Sequence, residues 1–99
     1  TPVGSAVIEM LRCVERFDVA HGFDGFPLHD PTVIAYLLEP GMFRMRPGWV
    51  SVSLERGVAH GMTIADWLLR DGAKANADVA LQIDADRYFE LIAERLATL

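Results

Sequence analysis

Phe26-Pro27-Leu28-His29-Asp30-Pro31-Thr32-Val33-Ile34-Ala35-Tyr36-Leu37-Leu38 is the stretch on which the reading of this chain turns. An acidic residue before proline opens a helix well: its carboxylate can accept from the first free amides, and the proline has no amide to leave unpaired. The stretch therefore predicts a helix with Asp30 as N-cap and Pro31 in its first turn. The helix stops at Glu39-Pro40-Gly41, where a proline bars continuation and a glycine takes the turn. His29 is then fixed just outside the helix, and a titratable pair stands at a loop-to-helix boundary in otherwise apolar surroundings. Imidazole titrates near neutral pH and can protonate a leaving group, whereas a carboxylate can bind a hard cation or substrate hydroxyls. Neighbouring residues project differently, so spacing alone does not make them a hydrogen-bonded dyad. Asp-Pro is also an ordinary helix start, and on the dipeptide alone that plain reading stands beside the functional one.

Upstream, Val7, Met10, Leu11, Val14 and Phe17 recur at helical spacing and predict a first helix from Val3 or Ser5 to Asp18. The segment Val19 to Leu28 follows with Gly22 and Gly25 among His21, Phe23 and Phe26, a composition expected of a mobile flap. Downstream, Val50, Val52 and Leu54 alternate with Ser51 and Ser53, Glu55-Arg56-Gly57 supplies a turn, and Val58 to Trp67 reads as the return strand, bulged near Gly61. After a polar loop from Arg70 to Asn76, Val79, Leu81 and Ile83 predict a third strand. Asp84 or Asp86 then caps a last helix whose buried stripe is Phe89, Ile92 and Leu96. The expected class is α/β, in the order helix, helix, β-hairpin, strand, helix.

Ninety-nine residues with 52% hydrophobic content make one domain at most, with a rich apolar load for the length. The chain opens on Thr1 without a basic segment leading into an apolar one, so neither a signal peptide nor an evident native start is seen, and it is expected to be a piece of something larger. Its longest apolar run, about seven residues around Val33 to Leu38, is well short of the roughly 20 that cross a bilayer, so no membrane partner is expected. A net charge of −5 without a Lys/Arg cluster argues against a nucleic-acid partner, whose phosphates need neutralising cations. The single Cys13 cannot form an internal bridge, which fits a reducing cytoplasm, and its place in a helical pattern predicts a buried thiol.

Other chemistry-bearing residues lean to structure. His60 beside Gly61 reads as a hairpin residue, and Asp84 and Asp86 as caps rather than metal ligands. Met42, Met45 and Met62 read as gap-fillers. Trp49 and Trp67 are expected either to pair across the hairpin or to cover a neighbouring subunit.

The stretch Asp24-Gly25-Phe26-Pro27-Leu28-His29-Asp30-Pro31, followed by Val33-Ile34-Ala35-Tyr36-Leu37-Leu38-Glu39-Pro40, resembles the C-terminal signature of the inosine-uridine preferring nucleoside hydrolases. Arg46-Pro47, the Val50 to Leu54 strand, Gly61-Met62-Thr63-Ile64-Ala65-Asp66-Trp67 and the Asn76 to Leu96 strand and helix continue in the family's order. The resemblance spans nearly the whole chain. It implies the C-terminal portion of an enzyme that cleaves the N-glycosidic bond of ribonucleosides to ribose and free base with a tightly bound calcium ion. By the family motif His29 matches the acid that protonates the departing base. Asp30 matches the one calcium ligand that this part contributes, and also touches substrate. Phe17 and His21 fall at the places from which side chains approach the nucleobase. Phe17 stands where characterised subgroups have tyrosine or glutamine, and completing the helix stripe explains it equally well; His21 could donate to a base or simply sit in a wet loop.

The family's aspartate-rich N-terminal motif, with the remaining calcium carboxylates and the water-activating base, has no counterpart in these residues. Calcium takes about six to eight oxygens, so Asp30 alone cannot build the site, and the 99 residues are expected to be inactive without the rest. The whole enzyme is expected to be a cytoplasmic homo-oligomer. A small α+β interaction or dimerisation module, in which His29-Asp30 only starts a helix, is the competing reading.

Overall fold

A computed structural model describes every residue from Thr1 to Leu99. It holds three α-helices and three strands, α1 (Pro2–Ala20), α2 (Thr32–Leu38), β1 (Phe43–Val52), β2 (Thr63–Asp66), β3 (Ala77–Ile83) and α3 (Ala85–Ala97), with short 3-10 turns at Pro40–Met42 and Arg70–Gly72. The strands form one antiparallel sheet in the order β2-β1-β3, so the chain is of the α/β class. Two compact units arise: Thr1–Met42 with Asp84–Leu99, which holds the helices, and Phe43–Ile83, which holds the sheet.

In the helical unit α1 is longer at both ends than periodicity predicts. Thr1 caps it by accepting from the Gly4 amide at 3.0 Å, and Pro2 fills the first turn. It ends at Ala20 because the stop signal is Gly22. With φ at 88° that glycine takes the left-handed turn, the Gly22 amide donating to Val19 O and the Phe23 amide to Asp18 O, both at 3.1 Å. Asp84 caps α3, accepting from the Arg87 amide at 3.1 Å; Asp86 lies inside the helix. The buried side chains are Ala35, Tyr88 and Leu91. The expected α3 stripe is therefore turned: Tyr88 and Leu91 form its centre, Ile92 and Leu96 are half-buried, and Phe89 is exposed. One residue is about 100° of helix rotation, enough to carry Phe89 off the face that Tyr88 occupies.

On α1 no residue is buried; Met10, Val14 and Phe17 of the predicted stripe are exposed, and Cys13, expected buried, is exposed as a free thiol. Two apolar clefts remain open in this unit. One of about 620 Å³ lies between Ile8 and Leu11 of α1, Phe26, and Phe89 and Ile92 of α3; one of about 350 Å³ is lined by Val7, Ile34, Leu38 and Leu91 among others.

In the sheet unit β1 starts well before the Val50 expected from the alternation and runs through Pro47-Gly48. It can do so because its partners divide it: β3 pairs with Phe43 to Gly48 and β2 with Trp49 to Val52, so Pro47 has no ladder to supply on the β2 side. The irregularity in register falls between Arg44 and Met45, not near Gly61. Gly61 instead shapes the hairpin loop, with φ at 82° and its amide donating to Ser53 O at 2.8 Å. Strand β2 begins only at Thr63; residues 58–62 form turns that close this loop. Trp67 lies one residue beyond the end of β2. Its ring lies against Gly48 and carries the Arg46 guanidinium at 5.0 Å, so its contacts are with the backbone and a cation rather than the cross-hairpin partner expected in Trp49, which stands opposite Asp66. Asn76 extends the ladder with its side chain: its amide accepts from Val50 N at 2.7 Å and donates to Val50 O at 2.9 Å.

Candidate active site

The loop from His21 to Pro31 and the start of α2 carry the predicted residues. Backbone bonds set the turn: Thr32 N donates to His29 O at 3.0 Å, reinforced by the Thr32 hydroxyl, Val33 N to Asp30 O at 3.3 Å, and Ala35 N to Pro31 O at 3.0 Å. The N-cap is Pro31, without a side-chain bond, so Asp30 does not cap α2 as its position predicts. Its carboxylate turns instead to its neighbour, with His29 Nε2 3.1 Å from Asp30 Oδ1. The pair that spacing alone could not join is joined. Both side chains are open to solvent, 74% exposed for His29 and 92% for Asp30, and both residues line, with Leu11, Val14, Phe26 and Leu28, a small cavity of about 140 Å³. The imidazole is largely open to solvent, so its place depends chiefly on the backbone that bears it.

Phe17 and His21 form a second pair at the end of α1. Their rings stack at 4.2 Å with a 35° tilt, and His21 Nδ1 lies 2.7 Å from Phe17 O. Both are exposed, and neither lines the cavity beside His29 and Asp30. Phe17 therefore does not complete a core stripe. Its ring is available on the surface, next to an imidazole that can donate or accept.

Two residues that the sequence reading passed over hold the motif from α3. The Tyr88 phenol donates to Leu28 O at 2.7 Å, and its burial pushes the phenol above its ordinary pKa. Arg87 Nε donates to Glu39 Oε2 at 3.0 Å, with a second bond from Nη2 to Oε1, and also meets Glu94. The Arg87 hydrogen bond holds the Glu39 carboxyl below its usual range. The signal for Tyr88 was a phenol on the apolar side of a helix, since a buried Tyr hydroxyl needs a partner. For Arg87 the signal was an arginine followed by acids at i+3 and i+7. Elsewhere Asp66, read only as part of a strand, accepts from the Leu68 and Arg70 amides, bonds that lower its pKa; His60 Nδ1 approaches Glu55 O at 3.3 Å within the hairpin loop.

Asp30 has one titratable neighbour, and no three His, Cys, Asp or Glu side chains come together in this chain to hold a metal ion. Calcium takes about six to eight oxygen ligands, so the donors in these residues do not by themselves fit it. No helix is long and apolar enough to cross a membrane.

A sequence model of the inosine-uridine preferring nucleoside hydrolases matches residues 1–90. The chain is 41% identical over 98 residues to the pyrimidine-specific ribonucleoside hydrolase RihA of Citrobacter koseri, a match that covers 97% of this chain and 31% of that protein. It is 39% identical over 98 residues to the RihA of Klebsiella pneumoniae, covering 97% and 32%, and 39% identical over 97 residues to that of Salmonella newport, covering 96% and 31%. The chain thus spans about a third of the length of the curated relatives it matches.

Proposed function

Because this chain belongs to the inosine-uridine preferring nucleoside hydrolase family, we propose that it serves as the C-terminal portion of an enzyme that hydrolyses the N-glycosidic bond of ribonucleosides. The observation that carries the reading is the His29-Asp30 pair, exposed at a loop-to-helix turn inside the segment that matches the family. Loss of a nucleobase as an anion is costly, and a positioned acid lowers that cost. In this reading the bond from ribose C1′ to the base nitrogen breaks with its electron pair leaving on the base, His29 gives the base a proton, and water supplies the hydroxyl that C1′ gains while its remaining proton passes to a base outside residues 1–99. Phe17 offers a ring face to the nucleobase, and His21 a donor or acceptor for its edge. Pyrimidine ribonucleosides are the first substrates to try, since the relatives bear that name.

Calcium belongs to this reading as a property of the complete protein. Asp30 would be one of its ligands, the others lying outside residues 1–99, and the His29 contact leaves the second carboxylate oxygen, Oδ2, unengaged by that pair. The open apolar clefts and exposed α1 face support a chain whose packing is completed by further sequence. The single exposed thiol fits a reducing cytoplasm. Ribose release from uridine by the protein in its natural length tests the activity, and Asp30→Asn separates metal from substrate. Calcium affinity and turnover falling together, with partial recovery at high calcium, is the expected result, because weakened coordination is a mass-action defect. Turnover lost at saturating calcium with affinity unchanged would place Asp30 on the substrate alone.

A further inference from the structure

The turn that bears His29 and Asp30 is fixed by four successive carbonyls, and their donors differ in origin. His29 O, Asp30 O and Pro31 O receive donors from Thr32, Val33 and Ala35, all within the same turn and helix. Leu28 O receives its donor from Tyr88, sixty residues further along the chain. Local bonds give the turn its shape; they do not say where in the unit it stands. That is decided by a tertiary contact, and the Leu28 carbonyl is the last backbone acceptor before the pair.

We propose that Tyr88 is a positioning residue for the reaction: its phenol O–H anchors the Leu28 carbonyl and thereby sets where the His29 imidazole stands. The role rests on the hydrolase reading given above. Tyr88 suits it because it is only 4% exposed, on a helix capped at its start by Asp84 and packed against both α1 and α2. Its hydroxyl has a fixed origin and little freedom to follow a moving loop. A phenol is protonated, and therefore a donor, across the neutral range, and burial moves its pKa further up. The preceding residue grips the other end of the same segment, since Arg87 holds Glu39 immediately after α2. Two consecutive residues of α3 therefore bracket the segment 28–39 that carries the pair. His29 is largely exposed and its ring meets Asp30 at 3.1 Å, a neighbour on the same turn, so a backbone shift at Leu28 passes to its reach.

The experiment is Tyr88→Phe in the protein at its natural length, which keeps the buried ring and removes only the donor. Turnover is measured on uridine and on 4-nitrophenyl riboside, whose leaving group departs without a proton, beside amide hydrogen exchange across residues 28–33. Misplacement of a reacting group by about 1 Å can cost on the order of 100-fold. The expected result is a loss of about 10- to 100-fold in kcat for uridine with KM unchanged, nitrophenyl riboside turnover within about twofold, and faster exchange confined to residues 28–33. Uridine turnover or exchange left unchanged overturns the proposal, and so does an equal fall for both substrates, which marks a merely structural role. A wild-type protein that cleaves neither substrate refutes the hydrolase reading itself, an outcome separate from a wild type that is active and indifferent to Tyr88→Phe.

Discussion

Gly48→Ala is the most sharply defined perturbation of the sheet. Gly48 is buried at the middle of β1, and a Cβ built on it would stand 2.9 Å from both Cε3 and Cζ3 of Trp67 and 3.6 Å from Asp66 O. Carbon atoms rest at about 3.5 to 4.0 Å, so the ring must retreat by about 0.6 to 1 Å, and a rigid indole has no rotatable end with which to yield. The ring also carries the Arg46 guanidinium at 5.0 Å, so the displacement disturbs that contact as well. Overpacking of this kind costs about 1 to 3 kcal/mol, against which replacing glycine within a strand returns about 0.5 to 1 kcal/mol. The net expectation is a loss of up to about 2.5 kcal/mol, or a fall in Tm of up to about 20 °C for a domain of this size. Thermal unfolding followed by Trp67 emission, in a Trp49→Phe background, reads both the stability and the ring's displacement. Gly41→Ala is the control, since that glycine faces open space and lies outside the left-handed region. A Gly48→Ala protein as stable as its parent with unaltered Trp67 emission refutes the packing of Trp67 on β1.

Two further expectations follow from the helical unit. Arg87 lowers the Glu39 pKa in the folded state, so the Glu39 contribution is present above about pH 4.5 and disappears as the pH falls through the lowered folded value. The gap in urea midpoints between wild type and Glu39→Gln should therefore be wider at about pH 6 than at about pH 3, a modest effect because both side chains are partly solvated; an equal gap at both values contradicts it. Residues 1–99 alone should self-associate and bind a hydrophobic dye through the exposed α1 face and open clefts, whereas a clean monomer by light scattering without dye binding favours the self-sufficient module.

The parts of the fold that local chemistry controls were legible in the sequence. Asp84 announced α3, the alternation at Val79, Leu81 and Ile83 announced β3, and Pro40-Gly41 marked the end of α2. The errors fell where tertiary context decides. The strand read from Val50 to Leu54 is Phe43–Val52, and its start lay hidden because a sequence cannot show that β1 changes partners along its length. Asp30 looked like a cap because the imidazole that draws its carboxylate is visible as a neighbour but not as a contact. Helical periodicity found the apolar side of α1 but could not say whether this chain covers it, and Met10, Val14 and Phe17 remain exposed. At the site, the family motif singled out His29 and Asp30. The anchor at Tyr88 lay hidden because its partner is a backbone carbonyl sixty residues away, and a carbonyl leaves no mark in a sequence.

The central claim is that His29 delivers a proton to a departing nucleobase, and leaving-group dependence tests it most directly. General acid catalysis contributes about 100- to 10,000-fold where the leaving group needs the proton. His29→Ala in the protein at its natural length should reduce uridine turnover by a factor in that range while 4-nitrophenyl riboside cleavage stays within about tenfold. Equal losses on both substrates, or no loss on either, would contradict the assignment and leave His29 as a residue that only precedes a helix.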